Sequence, residues 1–479
     1  MRNSVLIITA IILIAIISII AIPYDLLDVT DVKDFSDSAK FFAGEYKAKL
    51  RTSHSILYGL LLSPYVKIAK SFFLLKFFSV IWLSLLILSV YYISNKNRRT
   101  LLLFIASPLV WLMAPWLSPL PLVALLFLWA YYFIKQFNKK EEKKYIVYAG
   151  LLIGLAAALW DTALYISFIF LLAFLYDKKF YFSLIFIISV IVGLAPKLIV
   201  DQIFFGVVLY STLKHLAAVF AFALYGGIYN QSYSIGIAHL LITILFVPFF
   251  IYLFYKKKNF KGYKKPVIFI TLTILFILTN PQIRLLITIM PIIIILLGET
   301  LDKKQFKVQL IIFIMLSSLV VFPYGAQIKY DTNGKYFTSL ILSLPNLEFY
   351  EPKAKFIQQD LDEIAKEYPN QVFVVGNTND NYNELAHFYW GDGIKEFISL
   401  EDYKLFLNNE TIIRSERIGS NASSDFRREI WFEIGIGKNR NDGTDYKSIR
   451  YAIASEKNLE LDNFKLIKNY RELYLFEKI

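Results

Sequence analysis

The 479-residue chain contains no cysteine, so disulfides, thiolate nucleophiles and cysteine-built zinc sites are excluded. Histidine is nearly as scarce, with four in all, which argues against a multi-histidine metal centre. Charge is thin too: 19% of residues are Asp, Glu, Lys or Arg, against 57% hydrophobic and 17% aromatic. Soluble domains carry about a quarter charged residues, so a composition this apolar points to a membrane protein. The absence of an evident internal repeat disfavours the inverted-repeat transporter folds.

What is present is unevenly placed. Met1 to Pro323 is a succession of Ile, Leu and Phe runs, whereas Tyr324 to Ile479 has ordinary soluble composition. The net charge of +13 divides into about +18 on the first part and about −5 on the second. The basic excess therefore sits in loops flanking lipid, where Lys and Arg mark cytoplasmic ends and meet anionic headgroups. It gives no footing for nucleic acid.

Ser4 to Ile22 is long enough to span a core of about 30 Å and has no clear small-residue cleavage site, so it reads as a retained first helix with Arg2 in the cytoplasm. Ser55 to Ala69, broken by Pro64, crosses or re-enters. Further spans are expected at Phe72 to Ile93, Leu101 to Trp116, Pro119 to Ile134, Tyr181 to Val200, Ile203 to Tyr225, Ile237 to Tyr255, Val267 to Thr279, Leu285 to Leu297 and Val308 to Phe322. The tract Tyr145 to Tyr176 holds Asp161 near its middle, which predicts two spans meeting near Trp160. The total is about eleven to thirteen spans, and an odd number places the tail outside the cytoplasm. In the tail, Ala354 to Tyr368 has helical periodicity, Val372 to Gly376 reads as a buried strand ending in a glycine turn, and Ile449 to Ala454 and Lys465 to Phe476 read as strands, the latter a hairpin through Asn469 and Tyr470. The expected fold is thus a polytopic helical membrane domain, 1–323, followed by a small α/β domain, 324–479. Asn409 and Asn421 each open an N-glycosylation pattern, consistent with an exterior tail.

The charge of the first ninety residues gathers between Asp25 and Lys70, with aspartates at 25, 28, 31, 34 and 37. From Phe35 the apolar positions Phe35, Ala39, Phe42 and Tyr46 follow helical spacing, which describes an amphipathic helix on the membrane surface with Lys40, Lys47, Lys49 and Arg51 able to reach water or phosphate headgroups. Two compatible readings of its acids stand side by side. In one, Asp34 caps the helix and Asp37 occupies its first turn, where the dipole favours a carboxylate. In the other, Asp37 faces a substrate hydroxyl and acts as a general base.

The order of features resembles the GT-C superfamily of integral-membrane glycosyltransferases, relatives of protein O-mannosyltransferases and lipid A aminoarabinose transferases. After the first span stands Asp37-Ser-Ala39-Lys-Phe41-Phe-Ala43-Gly44, similar to the family's acidic motif. His54 then precedes the apolar segment containing Tyr58 and Pro64. Gly154-Leu155-Ala156, Pro196-Lys-Leu198 to Asp201 and Phe205-Gly206 follow the family's middle spans, and Arg284 opens an apolar run ending in Pro291. Where relatives often carry a lysine after Gly-Leu-Ala, this chain has Trp160-Asp161; a Trp-Trp-Asp motif is lacking.

The resemblance implies transfer of a sugar from a polyprenyl- or dolichyl-phosphate carrier to a protein, lipid or glycan acceptor outside the cytoplasm, with inversion at the anomeric carbon. It implies Asp37 as the base and His54, Arg51 and Arg284 as the cations on the lipid phosphate. Asp34, Tyr58, Asp161 and Tyr229 are further candidate substrate contacts read from the residues: Asp161 beside Trp160 equally marks an interfacial turn, and Tyr229 lies in an aromatic loop suited either to stacking on a sugar or to the membrane interface. A divalent metal is compatible with the aspartate series and not required. The rival classes are a transporter or flippase of lipid-linked saccharides, whose function would survive Asp37→Asn, and a non-catalytic scaffold presenting the tail.

Overall fold

The structure, a computed structural model, describes residues 2–20, 30–44, 56–69, 75, 77–114, 116–175, 180–213, 263–279, 283–321, 328–332, 336–340, 353–376, 393–408, 446–457, 459 and 461–479. In chain order the helices are α1 (Arg2–Ile20), α2 (Thr30–Ala43), α3 (Leu57–Ala69), α4 (Phe77–Ile93), α5 (Arg98–Ile105), α6 (Pro108–Met113), α7 (Leu120–Lys140), α8 (Lys143–Leu159), α9 (Thr162–Leu175) and α10 (Phe180–Phe205). They continue with α11 (Lys264–Thr279), a 3-10 turn Ile283–Thr288, α12 (Met290–Thr300), α13 (Lys303–Val321), α14 (Lys353–Glu367) and α15 (Leu400–Leu407). The strands are β1 (Ile328–Thr332), β2 (Tyr336–Leu340), β3 (Gln371–Val375), β4 (Ile394–Ser399), β5 (Tyr451–Ala454), β6 (Phe464–Asn469) and β7 (Tyr474–Lys478). Two compact units result: Met1–Ala21, Lys76–Thr212 and Phe222–Leu347 in one, Ile22–Leu75, Leu213–Ala221 and Glu348–Ile479 in the other.

The first unit is a helical bundle. α7 and α10 are long and apolar enough to cross a membrane. Several helices turn whole stripes of large apolar side chains outward: Ile81, Leu85 and Leu88 on α4, Leu184, Ile187, Ile188 and Ile191 on α10, Val308, Ile311 and Met315 on α13. Stripes of this kind are what hydrocarbon covers, since water leaves them uncompensated. Inside the bundle α8 meets α10 through glycines. A Cβ on Gly154 would lie 2.1 Å from the Val190 carbonyl oxygen and 2.8 Å from Gly193 Cα, so only hydrogen at these positions lets the two backbones approach.

Two expected spans are broken, each for a local reason. Leu101 to Trp116 is not one helix: α5 ends before Ser107 because Pro108 disfavours helical geometry in the residue ahead of it, and the chain restarts as α6. The carbonyls freed at the break find donors, Ile105 from the Trp111 indole at 2.8 Å and Ala106 from the Ser317 hydroxyl at 2.7 Å, as buried backbone requires. Leu285 to Leu297 is likewise divided, into the 3-10 turn and α12, which has Pro291 in its first turn. By contrast the tract 145–176 divides where Asp161 predicts, with α8 ending and α9 beginning on either side of Trp160 and Asp161.

In the second unit α2 and α3 pack on one another. α3 has 13 residues, a rise of about 20 Å that falls short of a hydrocarbon core. Its Pro64 removes the N–H that would bond the Leu60 carbonyl, and the Ser63 hydroxyl replaces it at 2.8 Å. The same unit carries a five-stranded sheet of order β4-β3-β5-β7-β6. β3 runs parallel to β4 and β5, and β7 runs antiparallel to β5 and β6. Val374, Ile398, Tyr403, Ala452, Phe464 and Phe476 lie in its core. The strands expected at Val372, Ile449 and Lys465 are thus present within a residue or two, and Gly376 ends β3 where a Cβ would meet Leu459 Cδ1 at 2.2 Å.

Candidate functional site

α2 carries the acidic motif. It is helical from Thr30 onward, so Asp34 lies a full turn inside it and Asp37 two turns. The reading of Asp34 as a cap and Asp37 as a first-turn residue is thereby corrected. Phe35, Ser36, Ser38, Ala39 and Lys40 of α2 are all buried. Phe35 meets Tyr58 edge-on with ring centroids 5.3 Å apart, and a Cβ on Gly59 would stand 2.2 Å from Ser38 Cβ. The glycine brings α3 against the Ser38–Ala39 backbone, which directly follows Asp37. Lys40 is only 1% exposed, so it does not reach water as an amphipathic surface helix predicts; the buried face of α2 is wider than the Phe35–Ala39–Phe42 spacing suggests. Of the other expected site residues, Arg51, His54 and Tyr229 lie outside the described residues.

Arg284 stands in the 3-10 turn with its guanidinium 5.0 Å from the centroid of the Trp116 ring. A cation over an indole face is held by the ring quadrupole, about 0.5–2 kcal/mol depending on solvent access. Trp116 is itself tied down, since the Ser79 hydroxyl donates to its carbonyl. The connector between α6 and α7 thus positions a permanent cation.

Asp161 is buried in the break between α8 and α9 and pairs with Lys197 of α10, itself buried. One turn further along α10, buried Asp201 accepts the Ser211 backbone N–H at 3.0 Å and the Ser211 hydroxyl at 2.7 and 2.9 Å. Asp161 Oδ1 takes the Lys197 ammonium, while Oδ2 has no donor among the described residues. The cluster of two carboxylates and one ammonium joins α8, α9 and α10. The sequence signal for Lys197 was available: a lysine in the middle of an apolar helix, four residues before an aspartate, is costly unless paired. Among the described residues no group of three or more His, Cys, Asp or Glu side chains is placed to hold a metal.

The fold that carries these features is of the GT-C type. Two solved structures of ArnT from Cupriavidus metallidurans are similar to the chain over 100% of its length and 98% of theirs, each with a TM-score of 0.62: one bound to undecaprenyl phosphate, at 10% identity, and one in the apo state, at 11%. No family model and no curated relative matches the sequence.

Proposed function

We propose that the chain is a multi-pass membrane glycosyltransferase that takes a sugar from a polyprenyl- or dolichyl-phosphate carrier and passes it to an acceptor outside the cytoplasm. The observation that carries this reading is the full-length likeness to ArnT, which was solved with undecaprenyl phosphate bound. The outward apolar stripes support the membrane setting. The proposed organisation is a catalytic membrane part, 1–323, whose first extracytoplasmic loop carries Asp37, and an extracytoplasmic domain, 324–479.

In this reading Asp37 accepts the proton of the acceptor hydroxyl as its oxygen bonds to the anomeric carbon. The bond from that carbon to the phosphate oxygen breaks, the configuration inverts, and the lipid phosphate leaves with the electron pair. Its developing negative charge needs preorganised cations, a role for Arg284 with His54 and Arg51. Asp34, Tyr58, Asp161 and Tyr229 are assigned to substrate contact. The acceptor is a protein, lipid or glycan bearing a nucleophilic hydroxyl.

The test is carrier consumption by purified protein given a panel of polyprenyl-phosphate sugars, compared between wild type and Asp37→Asn. The expected loss is about 10²–10⁴-fold in turnover, the usual worth of a general base, with unchanged elution of the folded protein. Equal turnover by both proteins removes the assignment of Asp37; no turnover of any carrier by the wild type removes the reaction.

A further inference from the structure

The end of α4 holds a cavity lined by none of the residues assigned to sugar transfer. The helix stops in two left-handed residues that are not glycine, Asn95 at φ 55° and Lys96 at φ 60°. The Lys96 N–H closes back on the Tyr91 carbonyl at 2.8 Å and the Asn95 N–H on the Tyr92 carbonyl at 3.0 Å. Left-handed geometry costs an ordinary L residue about 1–2 kcal/mol, and here it folds Asn95 and Lys96 back beside the aromatic end of the helix. The resulting cavity, about 320 Å3, is lined by Tyr92, Ile93, Asn95, Lys96 and Tyr132. That is large enough for a small ligand or a headgroup.

Its walls are fixed by one indole. Trp129 of α7 stacks on Tyr92 at 6.0 Å and 27°, meets Tyr132 edge-on at 5.5 Å, and donates its N–H to the Ser89 hydroxyl at 3.1 Å. The polar lining consists of two phenols, an amide and an ammonium, every one able to donate a hydrogen bond and none a carboxylate. Glu299 is engaged elsewhere, by Lys135 at 3.2 Å. Lys96 and the neighbouring Arg98 form no ion pair among the described residues. A cavity lined by donors, one of them an ammonium with no ion pair among the described residues and followed two residues on by a second such cation, is made for an anion.

The approach to it is apolar. Ile81, Leu85, Leu88 and Tyr92 are exposed along one face of α4 at helical spacing and end at the cavity. A free phosphate has no use for that stripe, whereas a lipid tail does. We propose that the cavity binds the phosphate of an anionic phospholipid whose acyl chain lies along Ile81, Leu85 and Leu88.

Native mass spectrometry of the full chain, purified in detergent with added phosphatidylglycerol or phosphatidylcholine, tests this. The expected result is one phosphatidylglycerol retained per chain, no retained phosphatidylcholine, no displacement by millimolar inorganic phosphate, and about tenfold weaker retention in Lys96→Gln/Arg98→Gln. Both side chains are exposed, so the variant folds as the wild type does, and Tyr132→Phe gives a milder second probe that keeps the ring and removes one donor. Equal retention of the two lipids, or retention unaltered in the double variant, overturns the proposal. Displacement by inorganic phosphate overturns it in favour of a free-anion site.

Discussion

Lys197 lies buried against Asp161, 36 residues away in sequence, and neither charge can turn to water. Removing one partner of a buried pair strands the other, at about 3–5 kcal/mol, whereas replacing both by apolar groups is often neutral or stabilising. Lys197→Met is therefore expected to lower the thermal midpoint in detergent by several degrees or abolish folding, and Lys197→Met/Asp161→Leu to recover part of the loss, since buried Asp201 keeps its Ser211 hydrogen bonds but not the ammonium. A double variant no more stable than the single one would show that the pair does not hold α10 to the junction of α8 and α9.

The α8–α10 crossing makes a separate prediction. A methyl on Gly154 has no room against the Val190 carbonyl, and backbone oxygen cannot swing aside as a side chain can. Gly154→Ala is expected to cost about 1–3 kcal/mol, the scale of overpacking, read as a fall in thermal midpoint. Gly206→Ala serves as the contrast. No atom lies within 4 Å of its added Cβ, but its φ is +72°, so its loss reports backbone strain without collision and should be the smaller.

Trp116 offers a test of how Arg284 is held. Trp116→Phe keeps an aromatic face under the guanidinium, and Trp116→Leu does not. If Arg284 meets the lipid phosphate as proposed, Trp116→Leu should raise KM for the polyprenyl-phosphate sugar several-fold, in line with a cation–π contact of about 1 kcal/mol, while Trp116→Phe stays within about twofold. Equal effects of both variants would show that the ring face does not hold the guanidinium in place.

Much of the frame was legible because hydropathy and turn chemistry are local. The break at Trp160 and Asp161, the strand at Val372 and the hairpin through Asn469 all follow from residues within a few positions. The failures are where partners come from afar. Leu101 to Trp116 reads as a span by composition, yet Pro108 breaks it, and the break is tolerable only because Ser317, 211 residues on, supplies a donor. Asp161 was readable as a costly carboxylate, but its partner Lys197 is set by the α8–α10 crossing, not by spacing along one helix. Lys40 is expected in water because periodicity shows where apolar residues fall, not how wide the buried face of the helix is.

In the second unit α14 grips the β6–β7 hairpin by two acids. Asp360 accepts the backbone N–H of Glu472 at 2.7 Å and of Leu473 at 3.1 Å, and burial raises its carboxyl above the ordinary range in spite of those bonds. Asp360→Ala leaves two donors of the turn unanswered and is expected to cost about 1–3 kcal/mol. Glu367 accepts from Lys468 at 2.5 Å and from the Tyr470 hydroxyl at 2.9 Å. Those two hydrogen bonds hold the Glu367 carboxyl below its ordinary 4.5, while burial and then the Glu367 hydrogen bond push the Tyr470 phenol above its ordinary 10.0. The signs follow from linkage. The Glu367 contribution is complete above its unfolded value and is lost as pH falls through its lower folded one. The Tyr470 contribution is complete below its unfolded value of about 10 and is lost as pH rises from there. Thermal unfolding across pH should therefore show an acid limb that Glu367→Gln flattens and an alkaline limb that Tyr470→Phe flattens, each relative to wild type. Parallel pH profiles for wild type and both variants would show that these contacts contribute nothing to holding α14 on the hairpin.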